Sequence, residues 1–343
     1  MNDWQVYTKD QPPRNRFKRP LVAPPWRTFV AAGGNSAGLQ VRRGQTYQPT
    51  DKEVEAVNAA IHLRRPLLLT GDPGSGKSSL AYSVAWRLQL GEVLYWPINS
   101  KTTLEDGQYR YDAIARLRDA NLSKSDPETK QRLHEQIERY LSLGPLGTAL
   151  APRNDQRDHR PRILLIDELD KSDIDLPNDL LHVFEEGFFT IPELERLERT
   201  DALQIRTAYR GLVFEGVPAE DATVPITGGK VPCREFPIVV ITSNGEREFP
   251  RAFARRCIRH HIEQITQSDP LEAIARSHFE SPDAEGTGLD PDKLKEVIDR
   301  FLEKRGEHQT LANDQLLNAL YLANSFDFHA KDDVIELILQ SLQ

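Results

Sequence analysis

The spacing of apolar residues divides the chain into three regions of different character. Residues 1–45 hold five prolines and no sustained apolar periodicity, which predicts a Pro/Arg-rich N-terminal arm. Residues 46–267 alternate short apolar runs with amphipathic helical stretches, as expected for an α/β fold with a parallel sheet between helices. Residues 268–343 contain four amphipathic helical stretches without a strand pattern, so they predict an all-α C-terminal domain.

Four apolar runs in the middle region predict the strands of the sheet. A helix is predicted to begin after Thr50, where Glu53 completes a capping box, and another follows the first strand from Lys77 to about Leu90. The predicted strands cover residues 66–70, 93–98, 163–166 and 238–242.

Two long segments interrupt the alternation and are predicted to be insertions. Residues 100–150 are charged and predict a largely helical segment. About seventy residues separate the third strand from the fourth, which is more than a direct connection needs. Within them, residues 173–187 predict a helix that ends at Gly187, and residues 188–237 predict a projecting β-hairpin.

The first predicted strand leads directly into the phosphate-binding pattern G-x-x-x-x-G-K-[ST]. Its glycines allow a tight turn that aims backbone N–H groups at phosphate oxygens, and the following helix adds its N-terminal amides. Lys77 is predicted to reach the β- and γ-phosphates of a nucleoside triphosphate, and the Ser78 hydroxyl to bind Mg²⁺. The predicted binding residues are Gly71, Asp72, Pro73, Gly74, Ser75, Gly76, Lys77, Ser78 and Ser79.

Two acidic residues follow the third predicted strand. Asp167 ends that strand, so its carboxylate is predicted to hold Mg²⁺ at the edge of the sheet. Glu168 comes next and is predicted to polarise the water that attacks the γ-phosphate. In isolation the pattern also fits a buried strand that enters an acidic turn, but its place downstream of the phosphate loop favours the catalytic interpretation.

Polar residues after the fourth predicted strand extend this site. Asn244 is expected beside the strand that bears Asp167, where its amide would orient the attacking water. Arg255 and Arg256 follow shortly afterwards, and an arginine offered to a neighbouring subunit would neutralise charge in the transition state. Taken singly, Asn244 also fits an ordinary turn residue and the arginines a solvated basic turn.

In this order and spacing, the motifs resemble those of the AAA+ ATPases and, within them, of the MoxR-like group. The resemblance extends over residues 46–343 and includes the stretches GPLGTAL, LPNDLLHVFEEG and ITSNGEREFPRAFARRC. It implies the P-loop AAA+ parallel sheet with a C-terminal helical lid domain, and it implies ATP hydrolysis with Mg²⁺. The resemblance also assigns roles to single positions: Walker A to Gly71–Ser78 with the catalytic Lys77, Walker B to Asp167 and Glu168, sensor 1 to Asn244, and the arginine finger to Arg256 with Arg255 as the alternative.

The same resemblance implies how such a protein works with others. Members assemble as rings, commonly hexamers, and many MoxR-like proteins act with a protein that carries a von Willebrand A domain. Segments 100–150 and 188–237 correspond to inserts that usually face the remodelled partner. The second sensor of the family has no clear counterpart here, and only Lys304 and Arg305 offer a basic group near its position.

Composition narrows the setting in which the protein acts. The formal net charge is −8, with +6 in residues 1–45 and therefore −14 in the remainder, which argues against bulk binding to nucleic acid or anionic lipid. The two cysteines are too few for a disulfide framework, and no apolar run reaches the length of a membrane span. These features predict a cytoplasmic protein.

Three functional hypotheses follow from the sequence. The leading one is a ring-forming, MoxR-like AAA+ chaperone that uses ATP hydrolysis to remodel or activate a partner protein. The second is a nucleic-acid-stimulated motor or clamp-loader-like ATPase, suggested by the same core and the basic arm. The third is an ATP-gated scaffold with little turnover, suggested by the missing second sensor.

Overall fold

The computed structural model describes residues 23–27, 36–122, 136–155, 158–279, 289–306, 311–326, 328–330 and 332–340. The strands are β1 Leu67–Thr70, β2 Leu94–Pro97, β3 Tyr109–Tyr111, β4 Leu141–Leu143, β5 Ile163–Asp167, β6 Phe188–Thr190, β7 Ala202–Arg206, β8 Thr223–Thr227, β9 Lys230–Pro232, β10 Ile238–Ser243 and β11 Ile258–His261. The helices are α1 Ser36–Thr46, α2 Asp51–Leu63, α3 Lys77–Arg87, α4 Leu104–Gln108, α5 Ala113–Leu122, α6 Pro145–Leu150, α7 Leu176–Glu186, α8 Pro192–Glu195, α9 Arg251–Arg256, α10 Ser268–Phe279, α11 Pro291–Gly306, α12 Asn313–Phe326 and α13 Asp333–Ile338.

Five parallel strands form the main sheet, in the order β11-β1-β10-β5-β2. In this order β10 lies between β1, which precedes the phosphate loop, and β5, which ends in Asp167. The carboxyl ends of the three strands therefore meet at one edge, the usual ligand edge of an open parallel sheet.

Alternate residues of the strands point to opposite faces of this sheet and bury two cores. Leu67 and Leu69 of β1 pack with α2 and α3 on one face. Leu68 packs with α6 and α7 on the other face. Helices thus cover both faces, which confirms the predicted fold class.

A second sheet of six strands, in the order β3-β4-β7-β8-β9-β6, joins the two predicted insertions. Strands β3 and β4 come from residues 100–150, and the other four come from residues 188–237. Sequence analysis expected a largely helical segment and a hairpin, so it missed the sheet that the two segments share. The strands have only three to five residues each, too few for a clear alternation of apolar and polar positions.

The end of the predicted arm is a helix rather than an irregular linker. Helix α1 packs along α3, and its buried residues are mostly small. The sequence therefore has no apolar stripe that would predict this helix. A Cβ at Gly44 would lie 2.6 Å from the carbonyl oxygen of Tyr82, so a glycine is required for this close approach. Residues 1–22 and 28–35 of the arm lie outside the described residues.

Helices α10 to α13 bury a core of their own, as predicted for the C-terminal region. Phe279, Phe301 and Leu320 are at its centre and are almost fully buried. Trp26 covers this core from the N-terminal segment, and its Nε1 donates to Asn318 Oδ1 at 3.0 Å. Of the helices described, none combines the length and apolar character needed to cross a membrane.

Candidate functional site

The phosphate loop joins β1 to α3 through three glycines with positive φ. Gly71, Gly74 and Gly76 have φ values of 144°, 73° and 98°, which residues with a side chain rarely adopt. Gly76 directly precedes α3 and offers no side chain to cap the first helical turn. The amide groups of that turn are therefore available to an anionic ligand.

Lys77 is folded into the loop that it follows. Its side chain is buried, and Nζ donates to the carbonyl oxygens of Gly71 and Asp72 at 2.7 Å each. Burial lowers the pKa of Lys77, while nearby carboxylates, foremost that of Asp170, oppose the shift. The loop thus holds an ammonium group that a phosphate would help to satisfy.

Asp167 is the meeting point of three hydroxyl groups from three different elements. Ser78 Oγ at the start of α3 donates to Asp167 Oδ1 at 2.6 Å, and Thr242 Oγ1 on β10 donates to the same oxygen at 2.7 Å. Tyr95 on the edge strand β2 donates to Asp167 Oδ2 at 3.2 Å. Burial and this carboxylate raise the pKa of Tyr95 to about 12, so the phenol remains a donor at neutral pH.

The oxygen donors at this edge fit Mg²⁺, a hard cation that prefers oxygen ligands. The Ser78 hydroxyl and the Asp167 carboxylate lie together beside the phosphate loop. Phosphate oxygens and water would supply the other ligands. Within the described ranges, no group of three or more His, Cys, Asp or Glu side chains is arranged to hold a metal ion by itself.

Glu168 has an unusual backbone conformation for a residue with a long side chain. Its φ of 60° lies in the left-handed region, and its N–H donates to Thr242 Oγ1 at 2.8 Å. Thr242 therefore holds both the Asp167 carboxylate and the Glu168 amide. The Glu168 carboxylate is partly exposed and pairs with Lys171 Nζ at 2.8 Å.

Asn244 follows β10, beside the strand that bears Asp167, as the sequence predicts. The buried carboxylate of Asp170 accepts the N–H groups of Asn244 and Glu246 at 2.9 Å and 3.1 Å. Asp170 lies three residues after Asp167, so it ties the loop after β10 to the acidic turn after β5. Together with Thr242, it makes these two segments one connected unit.

The two candidate finger arginines have different surroundings. Both lie at the end of α9. Arg256 pairs with Glu185 on α7 and also contacts the carbonyl oxygen of Ala252. The Arg255 side chain is exposed and makes no hydrogen bond or ion pair within the part of the chain that the structure describes. Arg255 is the freer of the two side chains to reach another molecule.

The helical domain touches the phosphate loop directly. Asn313 N–H donates to the carbonyl oxygen of Gly74 at 3.3 Å. A Cβ at Gly74 would lie 2.3 Å from Ala312 Cβ, so any larger residue in the loop would push this domain away.

Of the two basic residues considered for the second sensor, Arg305 lies nearer to this contact. Its guanidinium donates to Asn313 Oδ1 at 2.8 Å and to the carbonyl oxygen of Ile265 at 2.7 Å. Burial lowers the pKa of Arg305 to about 10, and Asp72 of the phosphate loop opposes that shift. Lys304 instead pairs with Glu336 inside the helical domain.

Comparison with known families decides which group these features belong to. Residues 66–244, just over half of the chain, match the family model of the AAA domain of the dynein-related subfamily. The chain belongs to this AAA family. The match runs from the strand before the phosphate loop to Asn244, and the AAA part of the resemblance is confirmed. No curated protein sequence matches the chain.

Several solved structures match most of the chain at low identity and low TM-score. PCH-2 from C. elegans is 15% identical with a TM-score of 0.36, and the match covers 88% of this chain and 64% of that one. A protein from Cytophaga hutchinsonii is 12% identical (TM-score 0.37; 90% and 86% covered), and NtrX from Brucella abortus in complex with ADP is also 12% identical (TM-score 0.38; 85% and 54% covered). The chain spans less than two thirds of PCH-2 and about half of NtrX. The assignment to the AAA family rests on the sequence match.

The geometry brings together five of the predicted site residues in this AAA domain: Lys77, Ser78, Asp167, Glu168 and Asn244. It does not bring Arg255 and Arg256 into contact with them within one chain. Sequence analysis missed Thr242, Asp170 and Tyr95, although the first two stand within three residues of predicted positions. A hydroxyl residue two positions before Asn244 and a second carboxylate two positions after Glu168 were the available signals.

Proposed function

We propose that this AAA protein hydrolyses ATP, with Glu168 as the general base. The arrangement around Asp167 supports the proposal, because it gathers the phosphate loop, the acidic turn and the end of β10 at one edge. The amides of the loop and Lys77 would hold the phosphates. Bound by Ser78 and Asp167, Mg²⁺ would offset negative charge on the β- and γ-phosphates.

In this proposal the remaining residues act on water. The Glu168 carboxylate would accept a proton from the attacking water, and the Asn244 amide would orient that water. Thr242 and Asp170 position these two residues through their backbone amides. The Glu168–Lys171 pair must open, or turn, when Glu168 acts as a base.

The direct test is steady-state phosphate release with ATP and Mg²⁺. Wild-type protein should release phosphate, Glu168→Gln should bind ATP without appreciable release, and Lys77→Ala should bind ATP poorly. Nucleotide binding without phosphate release in the wild type would overturn the proposal in favour of an ATP-gated scaffold. Normal turnover in Glu168→Gln would remove Glu168 from the mechanism.

We further propose that the chain works as a ring, commonly a hexamer in this family, in which an arginine from one subunit completes the site of the next. Arg256 is the candidate from the sequence motif, and Arg255 is the freer side chain in the structure. Mixing Lys77→Ala with either arginine variant tests both. Activity should return only when a mixed interface contains one intact loop and one intact finger. If both arginine variants are fully active alone, neither residue is the finger.

The MoxR-like prediction adds that the protein remodels a partner protein. A protein with a von Willebrand A domain is one candidate partner. Exposed apolar residues in the first insertion support a partner surface. Ile114 and Leu117 on α5 are 81% and 65% exposed and lie one helical turn apart. Proteins that bind to the Glu168→Gln variant in the presence of ATP, but not to the Lys77→Ala variant, are candidate partners. A true partner should change wild-type turnover, and Ile114→Asp should weaken that effect. Stimulation by DNA or RNA instead, falling steeply with salt, would favour the nucleic-acid hypothesis.

A further inference from the structure

A cavity of about 240 Å³ lies at the opposite end of β5 from the phosphate loop. Arg162 directly precedes β5 and lines the cavity, whereas Asp167 ends the strand at the nucleotide site. The two residues are five steps apart along an extended strand, a distance of about 16 Å. The cavity is therefore distinct from the nucleotide site, and four guanidinium groups line it: Arg153, Arg160, Arg162 and Arg234.

The two most buried of these arginines have hydrogen atoms left without an acceptor. Arg162 is 3% exposed and donates through Nη1 and Nη2 to the carbonyl oxygens of Ala151 and Pro152, but its Nε has no partner. The Arg153 side chain is 8% exposed and donates through Nη1 to Glu220 at 2.8 Å, but its Nη2 has no partner. Leaving a buried donor unpaired is costly, because the group has given up its hydrogen bonds to water, so such groups normally find a ligand or water.

The other two arginines add further donors. Arg160 binds Asp158 through Nε and Nη2, and its buried Nη1 has no acceptor. Arg234 is exposed at the cavity wall and makes no ion pair or hydrogen bond within the described ranges. Among the carboxylates of the wall, Asp158 is already engaged by Arg160.

The remaining lining carboxylates are Asp155 and Glu235. Glu235 lies 3.0 Å from His159 Nδ1 and pairs with Arg64 at 3.7 Å, so both neighbours already engage its carboxylate. Asp155 also has an interaction partner. Neither of them supplies the missing acceptors of the buried guanidinium groups.

Electrostatics at Arg162 favour an additional negative charge in the cavity. Burial lowers the pKa of Arg162 and Arg153 adds to that shift, whereas Tyr209, Glu220 and Asp221 oppose it. The carboxylate nearest to Arg162 is Asp221, at 3.6 Å, too far for a hydrogen bond. A compact anion among these groups would offset the cost of burying them.

We propose that this cavity binds a phosphate-type oxyanion. Such an ion presents several acceptor oxygens at once, and its geometry matches the fork of N–H groups on each guanidinium. The acceptors still missing are those for the unpaired N–H groups of Arg153, Arg160 and Arg162. The bound ion lies where Arg153 and Arg162 reach Glu220 and Asp221 of the second insertion, so it strengthens the junction between that insertion and the main sheet.

The proposal is tested with inorganic phosphate in a Lys77→Ala background, which disables the phosphate loop and leaves the cavity intact. Calorimetric titration of this protein should show one phosphate site. Arg234→Gln and Arg162→Lys should each weaken binding about tenfold, the loss expected for a charge-assisted hydrogen bond worth roughly 1.4 kcal/mol. Arg162→Lys keeps the charge, and Arg234→Gln changes an exposed residue, so folding is preserved in at least one of them. Arg118→Gln, an exposed change on α5, is the matched control.

Crystals soaked with tungstate, a heavy phosphate analogue, provide a second readout. A peak of anomalous density between Arg162 and Arg234 supports the site. No phosphate binding in the Lys77→Ala protein, or equal binding in Arg234→Gln and Arg118→Gln, would overturn it and leave a cavity filled by water. Neither result depends on ATP hydrolysis, so failure here is distinguishable from failure of the proposed ATPase activity.

Discussion

The two ends of β5 carry opposite chemistry on one short strand. At the carboxyl end, Asp167 is satisfied by three hydroxyl donors from three elements. At the amino end, Arg162 and its neighbours retain buried donors that no described acceptor satisfies. The four residues between Arg162 and Asp167 are all fully buried, so the contrast comes from what the surrounding loops bring to each end.

This difference separates two roles for charged residues in one fold. At the carboxyl end, adjacent strands end side by side and their loops converge, so small shifts there change reacting geometry. At the amino end, charged residues join the second insertion to the main sheet. We therefore expect substitutions at one end to change turnover and at the other to change stability.

The largest effect should come from Glu168. Glu168→Gln keeps the size of the side chain but removes its ability to accept a proton, so we expect kcat to fall by about a thousandfold. ATP affinity should stay within about threefold, because Glu168 is not part of the phosphate loop. Phosphate release and nucleotide titration measure the two quantities, and Glu186→Gln on α7 is the control. A comparable loss in that control would show a global effect instead.

Arg162 provides the contrasting change at the amino end. Arg162→Met should lower the free energy of unfolding by roughly 3 kcal/mol, because Glu220 and Asp221 lose part of the positive charge that accompanies them. Urea titration measures this loss, and the ATP affinity of the folded protein should not change. Arg259→Met, an exposed change on β11, should have little effect on stability. Equal losses of turnover and stability in Arg162→Met would contradict the separation of the two ends.

Sequence reasoning predicted the carboxyl end of β5 well because its chemistry is local. The phosphate loop fixes Lys77 and Ser78 through glycine positions, and Asp167 and Glu168 follow one apolar run. Asn244 required one further assumption, that its strand lies next to β5, and the strand order confirms it. The role of Thr242 was not visible, because it depends on one hydroxyl contacting two residues of another strand.

The amino end and the second sheet depend on contacts that are distant in sequence. Arg153 meets Glu220, and β4 meets β7, across more than sixty residues. Nothing in the local pattern around Arg153 or Arg162 distinguishes a buried arginine from a solvated one. Helix α1 was likewise not predicted, because its buried residues are small. Its close approach to α3 depends on Gly44.

Thr242 tests whether the carboxyl end works as one unit. Thr242→Val keeps the shape but leaves the partly buried Glu168 amide without its acceptor, a cost of about 1 kcal/mol, so we expect kcat to fall about tenfold. ATP affinity should change less than kcat, because the phosphate loop is untouched. Thr242→Ser restores the hydroxyl and should recover most of the activity. If turnover is equally impaired in Thr242→Ser and Thr242→Val, packing rather than hydrogen bonding explains the role of Thr242.

Lys171 should give the smallest effect and one of opposite sign. Its pair with Glu168 is partly exposed on both sides, and such pairs contribute less than about 1 kcal/mol. The hydrogen bond raises the pKa of Lys171, which means that the pair favours the charged ammonium and holds the Glu168 carboxylate. Lys171→Gln should therefore release the base and raise turnover about twofold in low salt.

Salt provides the internal control for this last prediction. Screening weakens an exposed ion pair, so the difference in turnover between wild type and Lys171→Gln should shrink as ionic strength rises to about 0.5 M. Lys171→Arg keeps the charge and should behave like wild type throughout. A fall in turnover for Lys171→Gln would mean that Lys171 supports the working position of Glu168. The carboxyl end would then be tied together by its exposed charges as well as by its buried hydroxyl groups.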